Sequence, residues 1–455
     1  MNTSEATEAR ARRWRWESLT GGGVLFQDDD FRRLWLGRLL ANTALNAVLY
    51  TLLVLAVGEG NGASLKSALF ITAYLLPTAT LGTFSGVVVD RLPKNFVMAA
   101  VNITRAVLMV MLLLAGDNLL TVYLVALLIA VTSQLSGPAE AAALPHVVRP
   151  DQLTRAISTN NFGGLVSQVV GFAVLPPLFL NTIGHRPLFF VAAGLFAGAA
   201  AVFYGIGGLG SRRINIARSK DAVRDVRSQF AEAWETLARD TVAYMSVIIV
   251  VLASTASLVG VTVMPLFMHE VLDIEVRNAI FVFLPAAAGI IAGLRLVHLL
   301  ERRVARGWLV GAGFGLLAAS FVCLGLTVPF ANALEEINPF GVFDPGPFGE
   351  TSARIVVTIV FSTVAAFAYS VLGVSTRSLV NERIPVQMQG RVFAAQVVLT
   401  NLASIPPILL AGALADVAGV QPVMILTVAL LVVAAAWAFA RAIFRPEVTR
   451  HVEAG

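Results

Sequence analysis

The sequence predicts an all-α polytopic membrane protein, with twelve transmembrane helices arranged as two pseudo-symmetric six-helix bundles. Its composition is 57% hydrophobic and only 13% charged, whereas soluble domains contain about 45–50% apolar and about 25% charged residues. The apolar residues form long runs with almost no charge, such as 247–261 and 423–440. In lipid only helices and closed barrels satisfy their backbone hydrogen bonds. Because the runs lack the alternation of barrel strands, they predict helices.

Twelve segments approach the length of about twenty apolar residues that a helix needs to cross a bilayer. We place these spans at 31–57, 66–89, 95–115, 119–139, 156–180, 187–209, 241–268, 277–299, 307–328, 352–376, 391–415 and 421–442. An even number of spans leaves both termini on one side, and the excess of Lys and Arg identifies the cytoplasmic side. With this assignment, 29 of the 33 basic residues lie on the side of the termini. The sequence therefore predicts a multi-pass protein of the cell (inner or plasma) membrane with both termini in the cytoplasm.

The same assignment divides the chain into two bundles and a linker. We expect a cytoplasmic tail at 1–30, a first bundle at 31–209, a cytoplasmic linker at 210–240, a second bundle at 241–445 and a cytoplasmic tail at 446–455. A weak repeat supports two related halves: Leu76-Pro77 and Gly86 in span two are matched by Leu284-Pro285 and Gly293 in span eight. Repeats of this kind are typical of transporters.

Two segments outside the spans have distinct compositions. In the linker, apolar residues recur at helical spacing, which predicts an amphipathic helix on the membrane surface or against the bundle; they are Val223, Val226, Phe230, Trp234 and Leu237. An extracytoplasmic insertion at 329–350 is rich in Pro, Gly and acidic residues. It is interpreted either as an irregular cap near the outer mouth or as a structureless insertion.

Ionisable residues inside the membrane are costly, so each is a functional candidate. Glu140, near the cytoplasmic end of span four, is the candidate proton carrier, and its alternative is a salt bridge with Arg91 or Arg149 at a gate. Arg105, about two turns inside span three, is expected to pair with a carboxylate, to snorkel or to contact an anionic substrate. Arg38 is interpreted as a gate residue or an interfacial anchor.

Uncharged polar residues within the spans are candidates for the wall of a central cavity. They are Asn42, Asn46, Tyr50, Gln134, Gln168, Ser257, Tyr369, Gln396 and Asn401. The first three lie on one helical face, at i, i+4 and i+8. The alternative role for each is an interhelical hydrogen bond that stabilises the bundle. A mostly neutral lining favours an amphipathic or hydrophobic substrate.

Several function classes have no support in the sequence. The pI of about 9.7 does not indicate nucleic-acid binding, because the basic residues lie between apolar runs. The five histidines have no metal-ligand spacing, and no Gly-x-x-x-x-Gly-Lys-Ser/Thr phosphate loop occurs. Nothing resembles a catalytic triad. We therefore expect no enzyme activity and no metal, nucleotide or other cofactor.

One loop carries a family resemblance. Between spans two and three, Gly86-Val-Val-Val-Asp90-Arg91-Leu-Pro-Lys94 resembles the signature loop Gly-x-x-x-Asp-Arg-x-Gly-Arg/Lys-Arg/Lys of the major facilitator superfamily. Pro93 and Asn95 depart from that pattern. The segments 31–38, 138–145 and 390–416 resemble bacterial multidrug and siderophore exporters of the superfamily. The resemblance implies gating roles for Gly86, Asp90, Arg91 and Lys94, which lie in a turn at a helix end where a carboxylate pairs with arginine or caps a helix.

The function that follows is secondary active transport. The leading hypothesis is proton-coupled export of a small amphipathic or hydrophobic molecule by alternating access, by a monomer in the lipid bilayer. Because no carboxylate lies at the predicted midplane, a second hypothesis is facilitated uptake or lipid-like flipping without proton coupling. A third is a membrane sensor or scaffold that does not transport.

Overall fold

The computed structural model describes residues 25–58, 62–116, 118–207, 231–275, 280–337 and 352–443, and this part of the chain is helical with no strands. Twelve long helices follow the predicted spans. They are α1 Asp29–Val57, α2 Ala63–Arg91, α3 Lys94–Ala115, α4 Leu119–Val147, α5 in three consecutive pieces (Leu153–Gln168, Val169–Val174 and Leu175–Thr182), α6 His185–Tyr204, α7 Thr241–Glu270, α8 Ile280–Glu301, α9 Arg306–Gly325, α10 Ser352–Arg383, α11 Val386–Ala418 and α12 Val420–Ile443. The predicted fold class is confirmed.

Eleven of these helices are long and apolar enough to cross a membrane. The other, α8, has 22 residues and a high mean hydropathy. Its predicted span begins at 277, which lies outside the described residues. The helices therefore match the spans in order and number, although several extend beyond the predicted ends.

Helix α5 departs from a regular α-helix in its middle. Val169–Val174 forms a π-helical turn directly before Leu175–Thr182, which carries Pro176 and Pro177 in its first turn. Proline lacks an amide hydrogen and its ring clashes with the carbonyl four residues earlier. A widened turn before the prolines removes that clash, and such turns are common at helix irregularities.

The insertion after α9 differs from its predicted irregular structure. Thr327–Ile337 forms a short helix, so an irregular cap is wrong for these residues. The helix is amphipathic: its Ala331 packs with Ala353 and Val357 of α10, and the tilted rings of Phe330 and Phe361 have centroids 5.7 Å apart. Burial of this apolar face explains why it is ordered. The rest of the insertion lies outside the described residues.

The linker helix is present at 231–239. Leu237 is 2% exposed and, with Ala233 and Trp234, packs against Val247 of α7 and Val380 of α10. In this part the helix lies against the bundle, which is one of the two predicted positions. Val223, Val226 and Phe230 lie outside the described residues.

The chain packs as two compact units. The first contains the described residues up to Leu52 and those from Leu81 to Gly207, and the second contains Leu53–Thr80 and the described residues from 231 onward. In the first unit, α3 packs against α4 and α6. In the second, α8 and α9 both pack against α10, and α7 packs against α11 and α12.

Glycines permit the close approach of helices in the second unit. A Cβ on Gly293 of α8 would lie 2.8 Å from the Cβ of Ser370, and one on Gly313 of α9 would lie 3.0 Å from the Cβ of Leu372. Small residues at such contacts are typical of helix packing in membranes. They bring α8 and α9 against the same helix, α10, which carries the polar residues described below.

A long-range cap attaches the start of α2 to the second unit. Asp416, near the end of α11, accepts hydrogen bonds from the amides of Ser64 and Leu65, both at 3.0 Å. The first amides of a helix have no partner within it, and a carboxylate also favours the positive end of the helix dipole. This contact helps explain why residues 53–80 pack with the second unit.

Candidate functional site

A polar cavity of about 490 Å³ lies within the second unit, lined by α7, α8, α10 and α11. Its polar lining residues come from three of these helices. They are Ser254 of α7, Tyr369, Ser370 and Arg377 of α10, and Gln396, Thr400 and Asn401 of α11. The sequence predicted three of them, Tyr369, Gln396 and Asn401, as cavity residues.

Helical spacing explains why Tyr369 and Arg377 of α10 line the same cavity. Tyr369, Gly373 and Arg377 follow one another at intervals of four residues, so they share a face of the helix. The Tyr369 hydroxyl lies 3.1 Å from the hydroxyl of Ser254, and the Ser370 hydroxyl donates to the carbonyl of Ile290 at 3.2 Å. These bonds join α10 to α7 and to α8, and they fix the orientation of the cavity wall.

Two groups of this cavity are available for further interactions. The amide oxygen of Gln396 is buried and accepts no hydrogen bond in the described structure. The Arg377 guanidinium carbon lies 5.8 Å from the ring centroid of Phe393, and no described carboxylate forms an ion pair with it. A buried acceptor without a donor is costly, and a cation over an aromatic face keeps its positive charge. The cavity therefore combines hydrogen-bonding capacity with one positive charge.

A second, apolar cavity of about 280 Å³ shares Ile290 and Tyr369 with the polar one. Its lining includes Phe267 of α7, Phe321 of α9 and Met424 of α12. Ser257, another predicted cavity residue, also lines it, and its hydroxyl donates to the carbonyl of Ala253 in its own helix. The hydroxyl of Thr358, a residue that is 1% exposed, lines this cavity without a hydrogen-bond partner in the described structure.

The predicted gate residues of the first unit form two buried groups. In one, Glu140 accepts a hydrogen bond from Ser136 at 2.7 Å through one carboxylate oxygen. Its other oxygen lies 3.4 Å from the Nε of Arg38. The Glu140 side chain is 9% exposed and that of Arg38 is 30% exposed. The sequence offered a salt bridge with Arg91 or Arg149 as the alternative to proton transfer, and the structure places Arg38 beside Glu140 instead.

Arg105 forms the other group. It is 1% exposed, donates to the hydroxyls of Thr132 at 3.1 Å and Ser133 at 2.8 Å, and lies 5.8 Å from the ring centroid of Phe196. The two hydroxyls belong to α4 and the ring belongs to α6. Arg105 thus joins three helices of the first unit through these contacts.

The signature loop is described in part. Gly86 and Asp90 both belong to α2, and their surroundings lie outside the described part of the chain. Arg91 ends α2 and is exposed. The ammonium of Lys94 donates to the carbonyls of Val89 at 2.9 Å and Leu92 at 3.3 Å. A cation at this position stabilises the free carbonyls at the end of α2.

The remaining predicted cavity residues belong to the first unit and do not line these two cavities. Asn42 and Asn46 are half-buried, and Gln168 is exposed. Tyr50 is buried with its ring centroid 6.2 Å from that of Phe172. Gln134 donates to the carbonyl of Ala130 within α4. The cavity role of these five residues stays a prediction.

Sequence reasoning missed Arg377, Ser254, Ser370 and Thr400. It counts Arg377 only among the basic residues on the side of the termini, because the predicted span ends at 376. The signal that identifies Arg377 is its spacing of eight residues from Tyr369, which places both on one face of a helix that continues to Arg383. For the three hydroxyl residues, no such signal exists, because Ser and Thr bond to their own helix backbone throughout membrane helices.

The fold and the polar cavity define a multi-pass helical membrane protein of the transporter class. Residues 34–405 match the family model of the Major Facilitator Superfamily, and the chain belongs to this family of secondary transporters. A search of curated proteins finds no match.

Solved structures of transporters share the fold. The nucleoside transporter NupG is 14% identical with a TM-score of 0.64, covering 92% of this chain and 100% of that one. A bacterial homolog of the human lysosomal transporter Spinster, in an inward-facing and unoccupied conformation, is 16% identical with a TM-score of 0.65, covering 91% and 97%. The POT family transporter PepTSo is 10% identical with a TM-score of 0.68, covering 92% and 99%. At these identities the likeness concerns the fold alone.

Proposed function

We propose that this chain exports a small amphipathic or hydrophobic molecule across the cell membrane by alternating access, and that the proton gradient drives it. It acts as a monomer made of two six-helix halves, with both termini in the cytoplasm. The polar cavity of the second unit is the substrate site. Its groups bind and orient the molecule, and the adjoining apolar cavity receives the hydrophobic part.

One observation carries the proposal. Tyr369, Gln396 and Asn401 come from two helices and line one cavity of about 490 Å³, which is within the usual range of small-molecule sites. The buried amide oxygen of Gln396 lacks a donor among the described residues, and a ligand donor or a water relieves that cost. A cavity with convergent polar groups and an apolar neighbour suits an amphipathic molecule better than a sugar.

Transport by the purified protein in vesicles tests this function. Vesicles are loaded with dansylaminohexanoate, an anion, or with dansylcadaverine, its matched cation, and flux is followed by dansyl fluorescence with and without an imposed pH gradient. We expect saturable flux of at least one probe that accelerates when the gradient is imposed. Equal flux in vesicles with and without the protein would refute transport of these molecules, and equal rates with and without the gradient would refute proton coupling.

Glu140 is the proposed proton carrier. It is the one carboxylate that is buried among the described residues, and its oxygens contact Arg38 and Ser136. Protonation of Glu140 weakens the attraction to Arg38, which provides a physical link between proton binding and a change in the first unit. Glu140→Gln mimics the protonated form, and we expect it to abolish the response of flux to the gradient while leaving flux at equal pH. Ser136→Ala is the matched control, since it removes a hydrogen bond and no titratable group.

A second function, transport without proton coupling, is favoured by the same contact. Both oxygens of Glu140 are engaged, at 2.7 Å by Ser136 and at 3.4 Å by Arg38, which is the arrangement expected of a structural salt bridge. In this case Glu140→Gln leaves flux and its pH profile unchanged. The two functions are therefore separated by a single variant in the vesicle experiment.

A further inference from the structure

We propose that the paired cavities of the second unit select an amphipathic anion, with the anionic head at Arg377 and the apolar body beyond Tyr369. This inference rests on the proposed function, because it names the charge of the molecule that the site takes. The sequence, by contrast, favours a neutral lining. The change comes from Arg377, which the length of α10 adds to the cavity.

The charge of the polar cavity favours an anionic ligand. Among the described residues, Arg377 is the cavity's one ionisable lining residue apart from Tyr369, and the carboxylates that form described ion pairs in the second unit pair with other arginines. The guanidinium carbon of Arg377 lies over the ring of Phe393, 5.8 Å from its centroid. Arginine has five donors in a planar fork that matches a carboxylate or a phosphate. A positive charge without a counter-charge in a concave site attracts anions and repels cations.

The order of groups along α10 allows one elongated ligand to reach both cavities. The residues of α10 that line the apolar cavity run from Thr358 to Tyr369, and those that line the polar cavity run from Tyr369 to Arg377. The rise of a helix separates Tyr369 and Arg377 by roughly 12 Å along its axis, and side chains lean toward the helix N-terminus, so the guanidinium leans toward Tyr369. One elongated molecule therefore reaches from the charged end to the apolar end along a single helix face.

The apolar cavity favours a hydrophobic group at the other end of the ligand. Its lining combines aromatic rings, such as Phe267 and Phe321, with the flexible thioethers of Met264 and Met424. Methionine adapts to varied apolar shapes, and burial of apolar surface contributes affinity in proportion to area. This cavity favours an alkyl or aryl group of about 280 Å³ or less, and the shared Tyr369 lies where the polar and apolar parts of the ligand meet.

Equilibrium binding to the full-length protein in nanodiscs tests the charge selection. Three dansyl probes share one spacer and differ only in the terminal group: dansylaminohexanoate is an anion, dansylcadaverine is a cation and dansylhexylamine is neutral at that end. We expect the anion to bind at least tenfold more tightly than the cation. Arg377→Gln should lower the affinity for the anion about tenfold, to that of the neutral probe, and Arg377→Lys should retain part of the preference. Equal affinity of anion and cation in the wild-type protein would overturn the proposal.

A matched arginine provides the control. Arg303 is exposed in the turn after α8 and lines neither cavity, so Arg303→Gln should leave all three affinities unchanged. If Arg303→Gln lowers the affinity for the anion as much as Arg377→Gln does, general surface charge and not Arg377 selects the anion, and the proposal fails.

The apolar end is tested by filling its cavity. Ala366→Phe on α10 places a ring among the lining residues and should weaken dansylaminohexanoate about tenfold, while acetamidohexanoate, which lacks the dansyl group, is unaffected as a competitor. Ala286→Leu fills the same cavity from α8 and is the second variant if Ala366→Phe does not fold. Undiminished dansyl binding in a folded variant of either kind would place the apolar group elsewhere and overturn the paired-cavity assignment.

Lipid headgroups carry the same anionic chemistry, and lipid composition separates the two sources. Binding is compared in nanodiscs of phosphatidylcholine and of phosphatidylglycerol. We expect the preference for the anion, and its loss in Arg377→Gln, in both lipids. If the preference disappears in phosphatidylglycerol only, Arg377 binds a lipid phosphate and the proposal is wrong. Because no gradient or flux is involved, anion binding without transport would refute the proposed function alone, and transport without charge preference would refute this inference alone.

Discussion

The two units differ in the chemistry of their buried polar residues. In the first unit, the described buried polar residues include Arg105, Glu140, Asn102 and Asn160. In the second unit, all of those described are serine or threonine. The two buried charged residues of the first unit, Arg105 and Glu140, have partners. In the second unit, the charge that lines the described cavities is that of Arg377, whose side chain is exposed.

This difference suggests a division of roles. Burying a charge is costly unless it is paired and hydrogen-bonded, so Arg105 and Glu140 restrict the first unit to arrangements that preserve their contacts. Several buried serine and threonine hydroxyls of the second unit bond to their own helix, as in the bond from Thr255 to the carbonyl of Val251 at 2.9 Å. They cost little to bury and leave cavity space free. The paired charges of the first unit thus suit a contact that differs between transport states, and the cavities of the second unit suit ligand binding.

Loss of the buried guanidinium should give the largest effect on stability. Arg105→Ala removes a side chain that is 1% exposed, with its hydrogen bonds to Thr132 and Ser133, and leaves a cavity. We expect the free energy of unfolding to fall by about 3 kcal/mol, as measured by SDS titration in mixed micelles. Arg303→Ala, at an exposed position, should change it by less than about 0.5 kcal/mol. Similar values for the two variants would remove the structural role assigned to the charged interior.

Glycine contacts should give a smaller and similar effect in both units. In the second unit, a Cβ on Gly412 would lie 2.7 Å from the Cβ of Ala68. In the first, one on Gly171 would lie 2.6 Å from the Cβ of Asn46. Each substitution to alanine should cost about 2 kcal/mol through overpacking, in the same SDS titration.

The control for the glycine substitutions is on the same helix as Gly412. A Cβ on Gly390 would have no atom within 4 Å, so Gly390→Ala should stabilise α11 by about 0.5 kcal/mol through helix propensity. A cost at Gly412 and none at Gly171 would mean that the units differ in packing as well as in polar chemistry.

Helix caps should give the next effect, and they separate local from long-range contacts. Asp28 caps α1 through the amides of Asp30 and Phe31, whereas Asp416 caps α2 from a distant helix. Asp416→Ala should cost about 1 kcal/mol and should accelerate hydrogen–deuterium exchange in α2 and in the end of α11. Asp28→Ala should accelerate exchange in α1 alone. If Asp416→Ala leaves exchange in α2 unchanged, this cap does not hold residues 53–80 in the second unit.

The sequence was sufficient for the helices and insufficient for their ends. Hydropathy follows the apolar part of a helix, so the span prediction stops at 376, where charged residues begin. The backbone continues to Arg383, because an arginine is a good helix former. Likewise α4 continues past the predicted end at 139 to Val147, with Pro138 and Pro145 inside it, since neighbouring helices compensate for proline in membrane helices. Arg377 lies in one of these extended ends, whereas the missed residues Ser254, Ser370 and Thr400 lie within the predicted spans.

The candidate residues show the same limit. Glu140 and Arg38 were each predicted as candidate gate residues, because an intramembrane charge requires a partner. The partner expected for Glu140 was Arg91 or Arg149, whereas the structure places Arg38 beside it. Which uncharged residues line a cavity was not predictable, since Tyr50 and Tyr369 have the same side chain and only packing separates them. Tyr50 packs against a phenylalanine of α5, whereas Tyr369 lines both cavities.

Hydroxyl pairs of the second unit should give the smallest effect. Tyr369→Phe and Ser254→Ala each remove the bond at 3.1 Å, and each should cost about 0.6 kcal/mol, the average for an interhelical hydrogen bond in a membrane protein. Because both variants remove the same bond, the double variant should cost no more than either one, as a double-mutant cycle in mixed micelles can measure. Ser257→Ala is the control, since its hydroxyl bonds within its own helix and its loss should be close to zero. Additive losses from Tyr369→Phe and Ser254→Ala would mean that the two hydroxyls do not interact. A cost of about 3 kcal/mol for either variant would mean that neutral pairs restrict the second unit as strongly as the buried charges restrict the first.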